Sequence, residues 1–174
     1  MDIHTIILAG GKGTRMLSQK AKVLQVLGGI TMLNHVMTAA NKISNKISVV
    51  VGFDKEGVEE EIKKIGINAD TFLQKEQIGT ADAVKTTLKD IDKNEKILIL
   101  YGDVPLIKEE TLKKLCNQES DLSILTTNLE NPTGYGRTLK DKENNVLGII
   151  EEKDADSEQK RIKEIFTGIL VAKG

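Results

Sequence analysis

The chain has 174 residues, 25 of them Lys or Arg and 26 Asp or Glu, for a formal net charge of -1. That length suits one domain with a substantial core, and the charge balance argues against a polybasic surface for nucleic acid or membrane. A single cysteine excludes an internal disulfide. No apolar run approaches a membrane span and no signal-peptide pattern follows Met1-Asp2, so the expected setting is a reducing cytoplasm.

Residues 5–9 form a short apolar run that predicts a buried strand. Leu33, Val36, Met37, Ala40 and Ile43 recur at helical spacing. Residues 47–51 predict a second strand, and Val58, Ile62 and Ile65 a second helix. Residues 70–74 read as a short strand. Ala81, Val84, Leu88 and Ile91 give a third helix, and residues 97–101 are the most apolar strand. Leu112, Leu115 and Cys116 form the stripe of a fourth helix, which makes Cys116 a core residue. Residues 122–126 predict another strand. Apolar strands alternating with amphipathic helices imply parallel pairing with right-handed crossovers, hence a doubly wound, Rossmann-like α/β sheet. In the last third, residues 137–139 and 146–151 pair across a turn at 141–145. The charged stretch 154–164 reads as a short helix and residues 167–172 as a final strand. His4 and His35 show no zinc spacing and read as ordinary surface or half-buried side chains.

Ligands of an open α/β sheet sit beyond the carboxyl ends of its strands. Two such ends carry chemistry. After Ala9, Gly10, Gly11 and Gly13 allow backbone N–H groups to approach a phosphate chain. Lys12, Arg15, Lys20 and Lys22 add positive charge. At Tyr101-Gly102-Asp103, a carboxylate at a strand end suits a magnesium ion bridging phosphates. Neither signal decides alone; together they point to a nucleoside triphosphate site. The Walker pattern fails because Gly13 follows Lys12. The dinucleotide pattern fails because its last position would be Met16.

The run L-A-G-G-K-G-T-R-M at 8–16, followed by Lys22-Val23-Leu24, resembles the nucleotide-binding signature of sugar-phosphate nucleotidyltransferases. Four further stretches are similar to the bacterial N-acetylglucosamine-1-phosphate uridyltransferase family. They are Gln74 with Gln77-Ile78-Gly79-Thr80, the run from Leu100 through Gly102-Asp103 to Ile107, the run from Asn131 through Gly134-Tyr135-Gly136-Arg137, and Gly148 through Glu151 to Ala155. The resemblance runs in order along nearly the whole chain. It implies a mostly parallel nucleotide-diphospho-sugar transferase fold over residues 1–174. It also implies a domain truncated at its C-terminal end, without the family's β-helix acetyltransferase half.

The implied reaction joins UTP and N-acetylglucosamine 1-phosphate into UDP-N-acetylglucosamine and pyrophosphate, a step toward peptidoglycan and lipopolysaccharide precursors. The resemblance assigns Arg15 and Lys22 to the phosphates and Asp103 to Mg²⁺. It assigns Leu8, Ala9, Gly10, Gly11, Gly13, Gln74, Gly79 and Thr80, with Tyr101 and Gly102, to the nucleotide pocket. Gly136, Glu151 and the position of Phe166 fall to the sugar. Lys20 reads as solvated surface.

Four departures stand out. Gly10 replaces the family's Ala, and Ala21 its Pro. Ala81-Asp82 replaces Gly-His and places a carboxylate near the triphosphate. Phe166 replaces an Asn whose hydrogen bonds a phenyl ring cannot supply. The family's second magnesium ligand falls past Gly174, and apolar surface is expected near Ile169 to Val171, inviting a homo-oligomer. The expectation is therefore a uridyltransferase. The alternatives are a nucleotide-binding remnant without turnover and a nucleotidyltransferase for another sugar phosphate.

Overall fold

The computed structural model describes residues 2–13, 18–76 and 78–174. It contains two compact units, Met1–Ser123 together with Leu170–Gly174, and Ile124–Ile169.

The first unit is built on a parallel sheet. Strand β1 (Ile3–Leu8) is buried along its four inner residues, as expected of a strand covered on both faces. After it come two two-residue strands, β2 (Val26–Leu27) and β3 (Ile30–Thr31), then α1 (Met32–Asn41) and β4 (Lys46–Val51). Next are α2 (Lys55–Ile65), β5 (Asp70–Leu73), α3 (Thr80–Lys85), β6 (Lys96–Tyr101) and α4 (Glu109–Cys116). The parallel order is β5-β4-β1-β6. Residues 170–173 of the last strand, β10 (Glu164–Lys173), run antiparallel to β6, with Leu170 opposite Ile99 and Val171 opposite Leu98. This is a mixed α/β fold with a mostly parallel, Rossmann-like central sheet, as expected.

Local chemistry accounts for the helix ends. Thr31 caps α1 by accepting the Asn34 N–H at 3.1 Å. Gly66, at φ 74°, closes α2 in the left-handed region. From α3, Ala83 and Val84 pack on Ile6, Val50 and Ile97 of the sheet. Cys116 is buried, and burial pushes its thiol pKa up.

Several expectations need correction. His4 is fully buried inside β1 rather than at the surface or half-buried, with Ser48 as its hydrogen-bond partner. Its Nε2 lies 2.7 Å from Ser48 Oγ, and its Nδ1 lies 3.4 Å from the Glu95 carboxylate. The third helix stops at Lys85, well short of Ile91. Thr86 and Thr87 end it by turning their hydroxyls onto the carbonyls of Ala83 and Val84 (2.7 and 2.8 Å), and residues 88–90 form only a 3-10 turn. The β2–β3 hairpin was unforeseen, because strands of two residues carry no alternation. Its signal is Gly28-Gly29, both at positive φ.

The second unit holds the later part of β7 (Leu122–Asn128), the hairpin of β8 (Arg137–Lys140) and β9 (Val146–Ile150), and the first part of β10. The hairpin turn is closed by Asp141, which accepts from the backbone and side chain of Asn145 at 2.8 and 2.9 Å. The stretch 154–164 forms only a 3-10 turn at Gln159–Arg161, not a helix. It lacks an apolar stripe, and Asp156 Oδ1 takes the N–H groups of Glu158 and Gln159 in a local turn. Arg137, 1 % exposed, donates to Glu152 and to the Tyr135 carbonyl, and its guanidinium holds the Glu152 carboxyl below the usual range. The apolar exposure expected around Ile169 and Val171 is absent, since these residues are 1 % and 4 % exposed. No helix among the described residues is long and apolar enough to cross a membrane.

Candidate active site

The glycine loop leaves β1 under tight constraint. The Ala9 N–H donates to the Val50 carbonyl at 2.8 Å, and the Phe53 N–H to the Gly10 carbonyl at 3.0 Å. A Cβ on Gly10 would lie 3.3 Å from backbone atoms of Val51 and Gly52. Gly13 has φ 60°, and a Cβ there would come within 2.7 Å of Lys22 Cβ. Glycine at 13 thus meets two demands at once, a left-handed backbone and close approach of the Lys22 segment.

Lys22 opens a 3-10 turn, Lys22–Leu24. Its Nζ lies 2.7 Å from Asp103 Oδ2, with the side chains 39 % and 28 % exposed. Asp103 stands just beyond β6, where the Gly102 N–H donates to the Leu8 carbonyl at 3.0 Å. A Cβ on Gly102 would sit 2.9 Å from Val23 Cγ1. A partly exposed ion pair contributes about 0–1 kcal/mol. An incoming phosphate can therefore take Lys22 from Asp103 at little cost.

These groups open onto a cavity of about 550 Å³ at the carboxyl ends of β1 and β6. Leu8 lines it from the end of β1, and Gly10, Gly11 and Gly13 from the loop, together with Lys12, whose Nζ lies 5.5 Å from the centre of the Phe53 ring. Gln74, Gly79 and Thr80 line it from the segment between β5 and α3. Tyr101 lines it from the end of β6 and Asp103 from just beyond, with the Tyr101 hydroxyl 3.4 Å from Thr80 Oγ1. Ala9 and Gly102 are buried and lie outside the lining. Arg15 and Gln77 lie outside the described residues. Lys20 is exposed.

Asp82 does not aim a free carboxylate at this cavity. Gln74, 7 % exposed, donates its side-chain N–H groups to the Gly79 carbonyl and to Asp82 Oδ2, both at 3.0 Å. Both partners are acceptors, so the amide orientation is fixed. Oε1 then faces Gly10, 3.4 Å from where a Cβ would be. No motif signals this contact, nor the bond from the Ala21 N–H to Asp54 Oδ2 (3.0 Å). Both join residues through the fold rather than through a motif.

Gly136, Glu151 and Phe166 meet in the second unit. The Phe166 N–H donates to the Gly136 carbonyl at 3.0 Å. A Cβ on Gly136 would lie 3.5 Å from Glu151 Oε1 and 2.9 Å from Ile149 Cγ2.

The family model for the MobA-like NTP transferase domain matches residues 5–159. The chain belongs to that family. Among curated relatives it is similar to the "Bifunctional protein GlmU" of Ruthia magnifica, 46 % identical over 97 % of this chain. It is also similar to the proteins of that name from two Buchnera aphidicola strains, each 45 % identical over 98–99 % of this chain. The chain spans about 37–38 % of the length of these relatives. Within this NTP transferase domain, Asp103 is the one carboxylate among the described residues lining the cavity. No group of three or more His, Cys, Asp or Glu able to hold a metal occurs among the described residues. Such a donor set does not make a protein cage for a metal. It fits magnesium, which is commonly bound by one or two carboxylates plus substrate phosphates and waters.

Proposed function

We propose that this domain transfers UMP from UTP to N-acetylglucosamine 1-phosphate, forming UDP-N-acetylglucosamine and pyrophosphate. The reading is carried by one observation: Lys22 and Asp103 are paired at 2.7 Å on the wall of a glycine-lined cavity at the ends of parallel strands. Family membership and the similarity to GlmU proteins support it and suggest a divalent-metal requirement.

In this mechanism an anionic oxygen of the sugar phosphate attacks the α-phosphorus of UTP. A new P–O bond forms, the bond to the β-phosphate oxygen breaks, and pyrophosphate leaves with the electron pair. No proton has to move, so the protein contributes position and charge. Glycine N–H groups and Lys22, with Arg15 from the same loop, receive the triphosphate. Asp103 would hold Mg²⁺ jointly with phosphate oxygens, where the ion offsets their negative charge. Gln74 Oε1 accepts the imide N–H of uracil. Gly136 and Glu151 serve the sugar.

Pyrophosphate release from the two substrates with Mg²⁺ tests the proposal. Release that requires both substrates is expected. UTP binding without release would leave a nucleotide-binding module, and no UTP binding would overturn the reading. A second reading, another sugar 1-phosphate, rests on Phe166, which has no side-chain hydrogen bond to offer. Phe166→Asn should then improve discrimination for N-acetylglucosamine 1-phosphate over glucose 1-phosphate by about tenfold, the scale of one hydrogen bond. Sharp discrimination by the unaltered chain, lowered by the substitution, would remove this second reading.

A further inference from the structure

We propose that Asp54 is a positioning residue for Lys22, acting through the backbone of Ala21. Its kinetic consequence rests on the function proposed above, whereas its structural part does not. Asp54 immediately precedes α2 and is left-handed, with φ 54° and ψ 44°. A carboxylate there would ordinarily accept from the first N–H groups of its own helix. This one makes no such cap bond. Oδ2 instead accepts the Ala21 N–H at 3.0 Å, across 33 residues of sequence.

Three observations indicate that the contact is built rather than incidental. Ala21 is fully buried, so without Asp54 its N–H would be left without this acceptor in a place with little water. Gly57 leaves the carboxylate its space, since a Cβ there would fall 2.6 Å from Asp54 Oδ1 and 3.0 Å from Cγ. Glycine in a helix is less favourable than alanine, so the space is kept at a cost. Ala21 also opens the turn that carries the lysine. Its carbonyl accepts the Leu24 N–H at 3.0 Å, and the Lys22 carbonyl accepts the Gln25 N–H at 3.1 Å. Holding Ala21 fixes the Lys22 backbone, and that directs Nζ to Asp103 and the cavity. Transfer chemistry is sensitive to displacements of about 1 Å.

The test is a set of four variants of the 174-residue chain. Asp54→Gly keeps the left-handed backbone but removes the acceptor. It should speed hydrogen exchange at the Ala21 amide and lower kcat about tenfold, with a smaller change in KM. Asp54→Asn tolerates the same backbone and keeps an acceptor, so its kcat should stay within about threefold of the parent. Ala21→Pro suits the observed φ of -53° and removes the N–H that needs a partner. Alone it strands the carboxylate and should lower kcat. In the Asp54→Gly background it should restore kcat to within about threefold, a coupling expected only of groups in direct contact.

Unchanged kcat in Asp54→Gly overturns the proposal. So does a loss that Ala21→Pro fails to repair, which would assign Asp54 to the start of α2 alone. If the parent chain neither binds nor uses UTP, the functional reading fails, and exchange at the Ala21 amide decides the structural part. Unaltered exchange in Asp54→Gly then overturns it.

Discussion

The first unit carries two clusters of polar side chains at opposite ends of the same parallel strands. At the amino end, His4 bonds Ser48 and lies against the Glu95 carboxylate, beside the Lys46–Asp90 ion pair. His4 and Ser48 are fully buried there. At the carboxyl end, Lys22 and Asp103 pair just as closely, but they remain partly exposed and border a cavity lined with glycine. Close contact between charged groups therefore does not distinguish structure from chemistry in this molecule. Access does. Glycines at 10, 11 and 13 clear the carboxyl end, whereas His4 and Thr5 are packed into the interior at the amino end. This agrees with the general placement of ligands in open α/β sheets.

The most direct way to break that contrast is Lys22→Ala. If the carboxyl-end pair is catalytic, turnover should fall by ~10²-fold or more, the scale for removing a preorganised charge-stabilising donor. Thermal stability should change little, because an exposed ion pair contributes only about 0–1 kcal/mol. Steady-state kinetics alongside a thermal melt would check both parts. A large loss of stability with unchanged kinetics would make this pair structural, like the one at the other end.

An effect of intermediate size is expected at Asp82. Its carboxylate presents only acceptors to Gln74, which turns the amide nitrogen toward itself and Gly79. Asp82→Asn can present either a donor or an acceptor, so the Gly79 carbonyl alone is left to hold the amide of Gln74 in its orientation. The preference for UTP over CTP should fall about tenfold, because a fixed acceptor favours the imide N–H of uracil over the N3 lone pair of cytosine. Calorimetric titration with both nucleotides measures the ratio. An unmoved ratio would mean that Asp82 has no part in base selection.

The strand pattern and the two carboxyl-end motifs were legible because both are local. Apolar runs of four to six residues mark β1, β4 and β6, and the glycines and Asp103 follow directly on strands. Most of what escaped was set by contacts across the fold. The histidine spacing says nothing of Ser48 and Glu95, so His4 reads from the sequence as a surface or half-buried residue. The apolar repeat through Ile91 suggested a long helix, but the hydroxyls of Thr86 and Thr87 compete for the backbone and end it. Asp54 and Ala21 lie 33 residues apart, and no spacing rule joins them. Asp82 was judged by its charge, whereas its effect depends on where Gln74 sits.

The smallest expected effect belongs to the closed end and sharpens the contrast from the other side. Burial is the largest influence on His4 and lowers its pKa from the ordinary value of 6.5. Lys46 acts in the same direction, while Glu95 and Asp90 oppose it. Below pH 6.5 the unfolded chain therefore takes up a proton before the folded chain does. The stability tied to neutral His4 is fully present above that pH and is lost as pH falls toward the lowered pKa. One proton allows a slope of at most ~1.4 kcal/mol per pH unit. Glu152 and Glu164 are held below their ordinary 4.5 by Arg137 and Lys140, so their contributions are lost only at more acid pH. Urea unfolding between pH 7 and 5 thus isolates the histidine. His4→Gln keeps a partner for Ser48 but cannot titrate, so it should flatten the slope in this window while leaving kcat at pH 7.5 within about twofold, as for a group remote from the reaction. An unchanged slope would assign the acid sensitivity elsewhere. A large loss of kcat in a stably folded variant would show that the two ends of the sheet are coupled rather than separate.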